Sequence, residues 1–217
     1  MFPVKDANRT LTTPYVNHML IIANVVVFLV TLMNEEYLFS NLAMRPHHII
    51  HGTNFHTLFT SMFLHAGFIH IFGNMLYLYI FGDNVEDVFG HVSYLFFYLT
   101  CGLVAGITYI MTGVGFTPDD MVVGASGAIS GVLGAYLVLY PKSRIFSMVF
   151  YGLPILIPIP AIFFLGFWFL MQWLYAIFDI GSNVAWWAHI GGFLGGLILA
   201  LIFGLEKKKA REEHRQL

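Results

Sequence analysis

The chain has 217 residues, of which 58% are hydrophobic, 17% aromatic and only 10% charged. A soluble domain averages about 25% charged residues, so this composition cannot cover a water-facing surface and points to a polytopic membrane protein. The formal net charge of -2 argues against a nucleic-acid partner, which requires a basic face, and the one cysteine, Cys101, excludes an intrachain disulfide.

Residues 1–14 form a short polar segment with no pattern of a cleavable signal peptide. Apolar runs able to cross about 30 Å of hydrocarbon follow at 15–33, 58–81, 92–112, 124–140, 159–180 and 186–205. Residues 145–158 are also apolar, but they are too few for a span and carry Pro154 and Pro158, so they are expected as an interfacial or re-entrant piece. The division expected is therefore an N-terminal segment 1–14, a membrane domain 15–205 and a basic tail 206–217. The fold class is all-α, a six-helix bundle.

Six spans put Lys5 and Arg9, Lys142 and Arg144, and Lys207, Lys208, Lys209, Arg211 and Arg215 on one side. Only Arg45 falls on the other. The positive-inside rule makes the first side the cytoplasm, with both termini there. Counting 145–158 as a seventh span would put the basic tail outside. The loops assigned outside hold Glu35, Glu36, Asp119, Asp120 and Asp179, and Trp186 and Trp187 suit an outer aromatic belt.

Polar groups inside the spans mark function, because burying them in lipid is costly. Span two carries His65, His70 and Asn74, span four Ser126 and Ser130, and span six His189. Asn24, Thr100 and Gln172 read as helix-packing groups. At 1.5 Å of rise per residue, Ser126 lies about 22 Å from the cytoplasmic end of span four, and His189 about 24 Å from that of span six. The two share a depth. Gly127 and Gly131 on span four, and Gly192 and Gly196 on span six, have the i, i+4 spacing that lets helix backbones approach closely. His189 shares the Gly192–Gly196 face, so packing of spans four and six would carry it to Ser126. An imidazole in hydrogen-bond reach activates a hydroxyl. The first-turn N–H groups at Ser126 can receive an oxyanion, with His70 and Asn74 as further donors. No carboxylate shares this depth, so the set reads as a dyad. Taken singly, each of these residues is compatible with a packing role. Their matched depth and shared faces favour acyl transfer.

Three motifs resemble the rhomboid family of intramembrane serine proteases, over about residues 58–205. GASGAISG (residues 124–131) resembles its GxSG, AHIGGFLGG (188–196) its AHxxGxxxG, and HAGFIHIFGNM its HxxxN with a preceding histidine. The resemblance implies a nucleophile at Ser126, a general base at His189, oxyanion-side roles for His70 and Asn74, and structural roles for His65 and Glu86. It also implies lateral entry of single-span substrates from the bilayer, beside the bulky Phe163, Phe164, Phe167, Trp168 and Phe169, and cleavage near the outer surface. No cofactor or metal is expected. The protein is expected to be multi-pass in a plasma membrane, or in the inner membrane of a Gram-negative source. Two features depart from the family pattern. His56-Thr57 stands where many members have Trp-Arg, and Ser130 where some have a tyrosine that stacks on the base.

There are two rival readings. His47, His48, His51 and His56 in the outer loop, with His65 and His70 on span two, form a histidine-rich set whose HHIIH suggests a membrane metalloenzyme, although the other histidine boxes and HExxH are missing. A non-catalytic relative that binds membrane clients would typically lack the serine or the histidine, and both are present.

Overall fold

The computed structural model describes residues 2–113, 117, 119–151, 153–181 and 184–214. In chain order it contains β1 (Phe2–Asp6), α1 (Tyr15–Thr31), α2 (Glu35–Leu42), α3 (Pro46–Ile50), α4 (Thr57–Thr60) and a 3₁₀ turn (Ser61–Phe63). Next come α5 (Phe68–Phe89), α6 (His91–Met111), α7 (Ser126–Leu139), β2 (Arg144–Tyr151) and β3 (Leu153–Pro160). The chain closes with α8 (Ala161–Ile177), α9 (Trp186–Leu199), a π-helical turn (Ala200–Gly204) and α10 (Leu205–His214).

The molecule is mostly helical. By length and composition, the helix over His91–Met111 and the continuous helix over Trp186–Arg211 can each cross a membrane. A broken pair, Thr57–Phe63 with Phe68–Phe89, meets the same criteria but bends by 95°. Tyr15–Thr31, Ser126–Leu139 and Ala161–Ile177 are shorter apolar helices. The break corrects the second expected span. Its first residues, 57–63, lie nearly perpendicular to α5, and His65 sits in the connector rather than in a span. Leu64 is extended, with ψ of 145°, and Gly67 precedes the new helix, so the helical ladder cannot run through.

The packing centre is α7. Residues 128–136 are buried without interruption, as expected of a helix that is apolar on every face. It packs against α5, α6, α8 and α9. The α7–α9 crossing is made of glycine. A Cβ at Gly192 would overlap the Gly127 carbonyl, one at Gly196 the Gly131 carbonyl, and one at Gly134 the Phe193 carbonyl. Backbones this close are possible only without side chains between them.

The all-α expectation is corrected by a three-stranded antiparallel sheet in the order β1-β2-β3. The apolar run 145–158 is its hairpin, pairing Arg144 with Pro160 and Ile145 with Ile159. Alternating Pro and β-branched residues disfavour helix and suit an edge strand, and Pro154, Pro158 and Pro160 remove N–H groups from β3, the strand at one edge. On the other side β1 follows α5. Asn84 Nδ2 donates to Asp6 Oδ2 at 3.1 Å, and the Phe2 ring stacks on Phe72 at 6.2 Å. Those α5 residues are about 18 Å apart along the helix, so β1 runs beside α5 through about half of its length. The tail is likewise more than a solvated charge run. In α10, Lys207 Nζ donates to the Phe89 carbonyl at 2.8 Å and Lys208 Nζ to the Leu139 carbonyl at 2.5 Å. Arg211 pairs with Asp87. The basic residues therefore cap the ends of α5 and α7, where the helix dipole favours cations. Arg215 lies outside the described residues.

Candidate active site

Ser126 opens α7. The segment before it is held at two points. Val122 exchanges backbone hydrogen bonds with Met44, and Gly124 N donates to the Ser61 carbonyl at 2.9 Å. Gly124 has φ of +125°, and a Cβ there would lie 2.8 Å from His70 Nε2. Glycine is needed at this position both for its backbone and for the imidazole beside it. This turn starts the helix at the serine, so the unpaired first-turn N–H groups surround the hydroxyl.

The glycine crossing brings α9 to the same place. His189 Nε2 and Ser126 Oγ are 2.8 Å apart, across 63 positions of sequence. On the far side of the ring, His189 Nδ1 lies 2.9 Å from Gln172 Oε1. Gln172 Nε2 in turn donates to the Trp168 carbonyl at 3.0 Å. Two indoles flank the imidazole, with centroids 6.1 Å (Trp168) and 5.7 Å (Trp186) away. Gln172 thus has a polar contact that its sequence position did not disclose. A lone glutamine in an apolar helix looks like a packing group until the helix beside it is known.

His70 and Asn74 lie one turn apart on α5. His70 Nδ1 accepts from Ala66 N at 3.4 Å, so the neutral ring carries its proton on Nε2, the atom beside Gly124. Asn74 Nδ2 donates to the His70 carbonyl at 3.0 Å and keeps one further N–H. Both residues line a cavity of about 1110 Å³ shared with Ser126 and His189. Its walls are otherwise mostly apolar, with Met44, Leu58, Met62 and Trp168 among them. His65 is buried edge-on against His70 at 5.1 Å and supports that ring from behind. Ser130 turns away, its Oγ donating to the Ser126 carbonyl at 2.7 Å.

Other singled-out residues lie elsewhere. Glu86 is fully buried, accepts from Val16 N at 3.0 Å and Asn17 N at 2.6 Å, and meets His91 Nδ1 at 2.5 Å. It therefore holds the start of α1 as well as the turn into α6. The aromatic run on α8 divides between two faces. Phe163 and Phe167 are exposed, whereas Phe164 is buried and Phe169 stacks on Phe193 at 4.3 Å. The rings of His47 and His51 are 4.2 Å apart and tilted by 33°, and His56 Nε2 lies 3.0 Å from the Asn41 carbonyl. Among the described residues, no group of three or more His, Cys, Asp or Glu is placed to hold a metal ion.

Taken together, these contacts provide a hydroxyl, an imidazole to receive its proton and N–H donors beside them, in a largely apolar cavity. That set suits addition to a carbonyl and stabilisation of the oxyanion formed. Residues 52–206 match the model of the Rhomboid domain. The chain is 30% identical over 188 residues to RHOMBOID-like protein 12, mitochondrial, of Arabidopsis thaliana, covering 80% of this chain and 54% of that one. It is 33% identical over 163 residues to RHOMBOID-like protein 1 of the same plant, covering 71% and 36%. With Rhomboid protease GluP of Bacillus subtilis (strain 168) it shares 35% over 153 residues, covering 70% and 27%. The chain thus spans about half or less of the length of these relatives.

Proposed function

Because the chain belongs to the rhomboid family and is a polytopic membrane protein, we propose that it is an intramembrane serine endopeptidase. In this reading it cuts single-span membrane proteins near the outer membrane surface with a Ser126–His189 dyad. The observation that carries the proposal is the 2.8 Å contact between Ser126 Oγ and His189 Nε2. It joins a nucleophile and a base from helices that only the glycine crossing brings together.

The reaction then follows acyl-transfer logic. Ser126 Oγ attacks the scissile carbonyl carbon while its proton passes to His189 Nε2. The oxyanion is received by the first-turn N–H groups at Ser126, by His70 Nε2–H and by the free N–H of Asn74. His189 returns the proton to the leaving amine as the C–N bond breaks. A water molecule, deprotonated by His189, then hydrolyses the acyl-serine. In this reading α1, α5, α6, α7, α8 and α9 are the six spans, with both termini cytoplasmic. The membrane is the plasma membrane, or the inner membrane of a Gram-negative cell.

A serine-directed fluorophosphonate tests the proposal. It should label the wild-type chain at Ser126, and the purified protein should cut a model transmembrane substrate. Normal cutting by Ser126→Ala would refute the mechanism. Binding of a membrane client with neither labelling nor cleavage would identify the chain as a non-catalytic client-binding relative.

A further inference from the structure

The contacts of His189 specify more than its distance from Ser126. Gln172 is 4% exposed, and each end of its amide has one partner. Its Nε2 is 3.0 Å from the Trp168 carbonyl, one helical turn back on α8, and its Oε1 is 2.9 Å from His189 Nδ1. A backbone carbonyl only accepts, so the end of the amide that faces Trp168 must be the nitrogen. The oxygen then faces the imidazole, and a carboxamide oxygen also only accepts, so Nδ1 must carry a proton. In the neutral ring this leaves the lone pair on Nε2, the atom 2.8 Å from Ser126 Oγ.

We propose that Gln172 is the positioning residue of the base, a neutral replacement for the carboxylate of a catalytic triad. The proposal rests on the dyad reading above. The chain of partners runs from the Trp168 carbonyl through Gln172 and His189 to Ser126, and each link has one donor and one acceptor. It fixes the His189 tautomer, and Trp168 also flanks the ring face, so one turn of α8 holds both edge and face of the base. When Ser126 attacks, Nε2 gains a proton, Nδ1 keeps its own, and the Nδ1–H to Oε1 bond becomes charge-assisted. Gln172 itself exchanges no proton. An amide also suits the surroundings. The helices packed on α9 within the bundle, α6, α7 and α8, contain no Asp, Glu, Lys or Arg. An ionised carboxylate there would carry a large desolvation cost that a carboxamide avoids.

The test compares the full-length wild type with Gln172→Met and Gln172→Glu in detergent. Methionine keeps the length of the side chain and removes the acceptor. Glutamate, ionised or protonated, keeps an oxygen for Nδ1. Fluorophosphonate labelling and kcat should fall about tenfold in Gln172→Met, with KM unchanged, as loss of one such hydrogen bond predicts. Gln172→Glu should recover most of that rate. In ¹⁵N-histidine spectra, the signal that disappears in His189→Ala should report the Nδ1–H tautomer in wild type and a mixture in Gln172→Met. Wild-type rates and tautomer in Gln172→Met would overturn the proposal. So would equal losses in both variants, because shape rather than the acceptor would then matter. Absence of Ser126 labelling in wild type would instead overturn the dyad reading itself.

Discussion

In the proposed mechanism Ser126 and His189 act only as a pair. Without either one the other would have no chemistry to perform, so their effects should not add. Ser126→Ala and His189→Ala should each abolish cleavage of a model transmembrane substrate, with the double variant no worse than either alone. Ser130→Ala should keep substantial activity, because its hydroxyl is tied to the Ser126 carbonyl. Asn74 tests the oxyanion side. With one N–H committed to the His70 carbonyl and one left for substrate, Asn74→Ala should lower kcat by about 10²–10³ while fluorophosphonate still labels Ser126. An unchanged kcat would remove Asn74 from the site. Most of these residues were legible in the sequence, because an intramembrane polar group is conspicuous against an apolar background. Gln172 was not. Its meaning depends on which helix lies beside α8, and no spacing within one helix encodes that.

At the level of elements, the close crossing of α7 and α9 is what places the site. Gly192→Val would put side-chain atoms into the Gly127 carbonyl and force the two helices apart. Cleavage should be lost and thermal stability in detergent should fall. Gly166→Ala on α8 is the control, since nothing lies within 4 Å of the added methyl. It should retain activity and be neutral or more stable by about 0.5–1 kcal/mol. A second element-scale device is Glu86, which joins three helices by accepting the first N–H groups of α1 from its place on α5 and facing His91 on α6. Glu86→Ala would leave those buried donors without an acceptor. A loss of about 2–4 kcal/mol is expected, read as a lowered unfolding midpoint. A midpoint unchanged from wild type would show that water reaches α1 and replaces the carboxylate. The helices themselves were largely visible as apolar runs. The sheet was not. Residues 145–158 were recognisable as too short for a span, but their partner β1 lies about 140 positions away in the chain, and pairing at that range leaves no local period to read.

For the whole molecule, the distribution of Lys and Arg predicts that both termini face the cytoplasm. Cys101 is buried, so single cysteines introduced at exposed sites can be scanned with an impermeant thiol reagent. A cysteine at Glu213 should react only after the cell is opened, and one at Met111 should react from outside. Labelling of position 213 in intact cells would contradict the orientation. Proteolysis should also survive a strong chelator, because the proposed chemistry needs only side chains and water. Loss of activity restored by zinc or iron would return attention to His47, His48 and His51. By itself, the sequence determined the membrane environment, the expected orientation, the candidate polar residues and, through their matched depths, which two could meet. These properties follow from composition and from the fixed rise of a helix, both of which are local. Only the tertiary structure decided that the second run breaks at Leu64, that β2 and β3 pair with each other and β2 with β1, and that a glutamine on α8 faces His189. Each of those depends on which surfaces meet across the bundle. In an interior that is apolar nearly everywhere, helices of similar composition can be neighbours in many arrangements, and close packing at the glycines selects one.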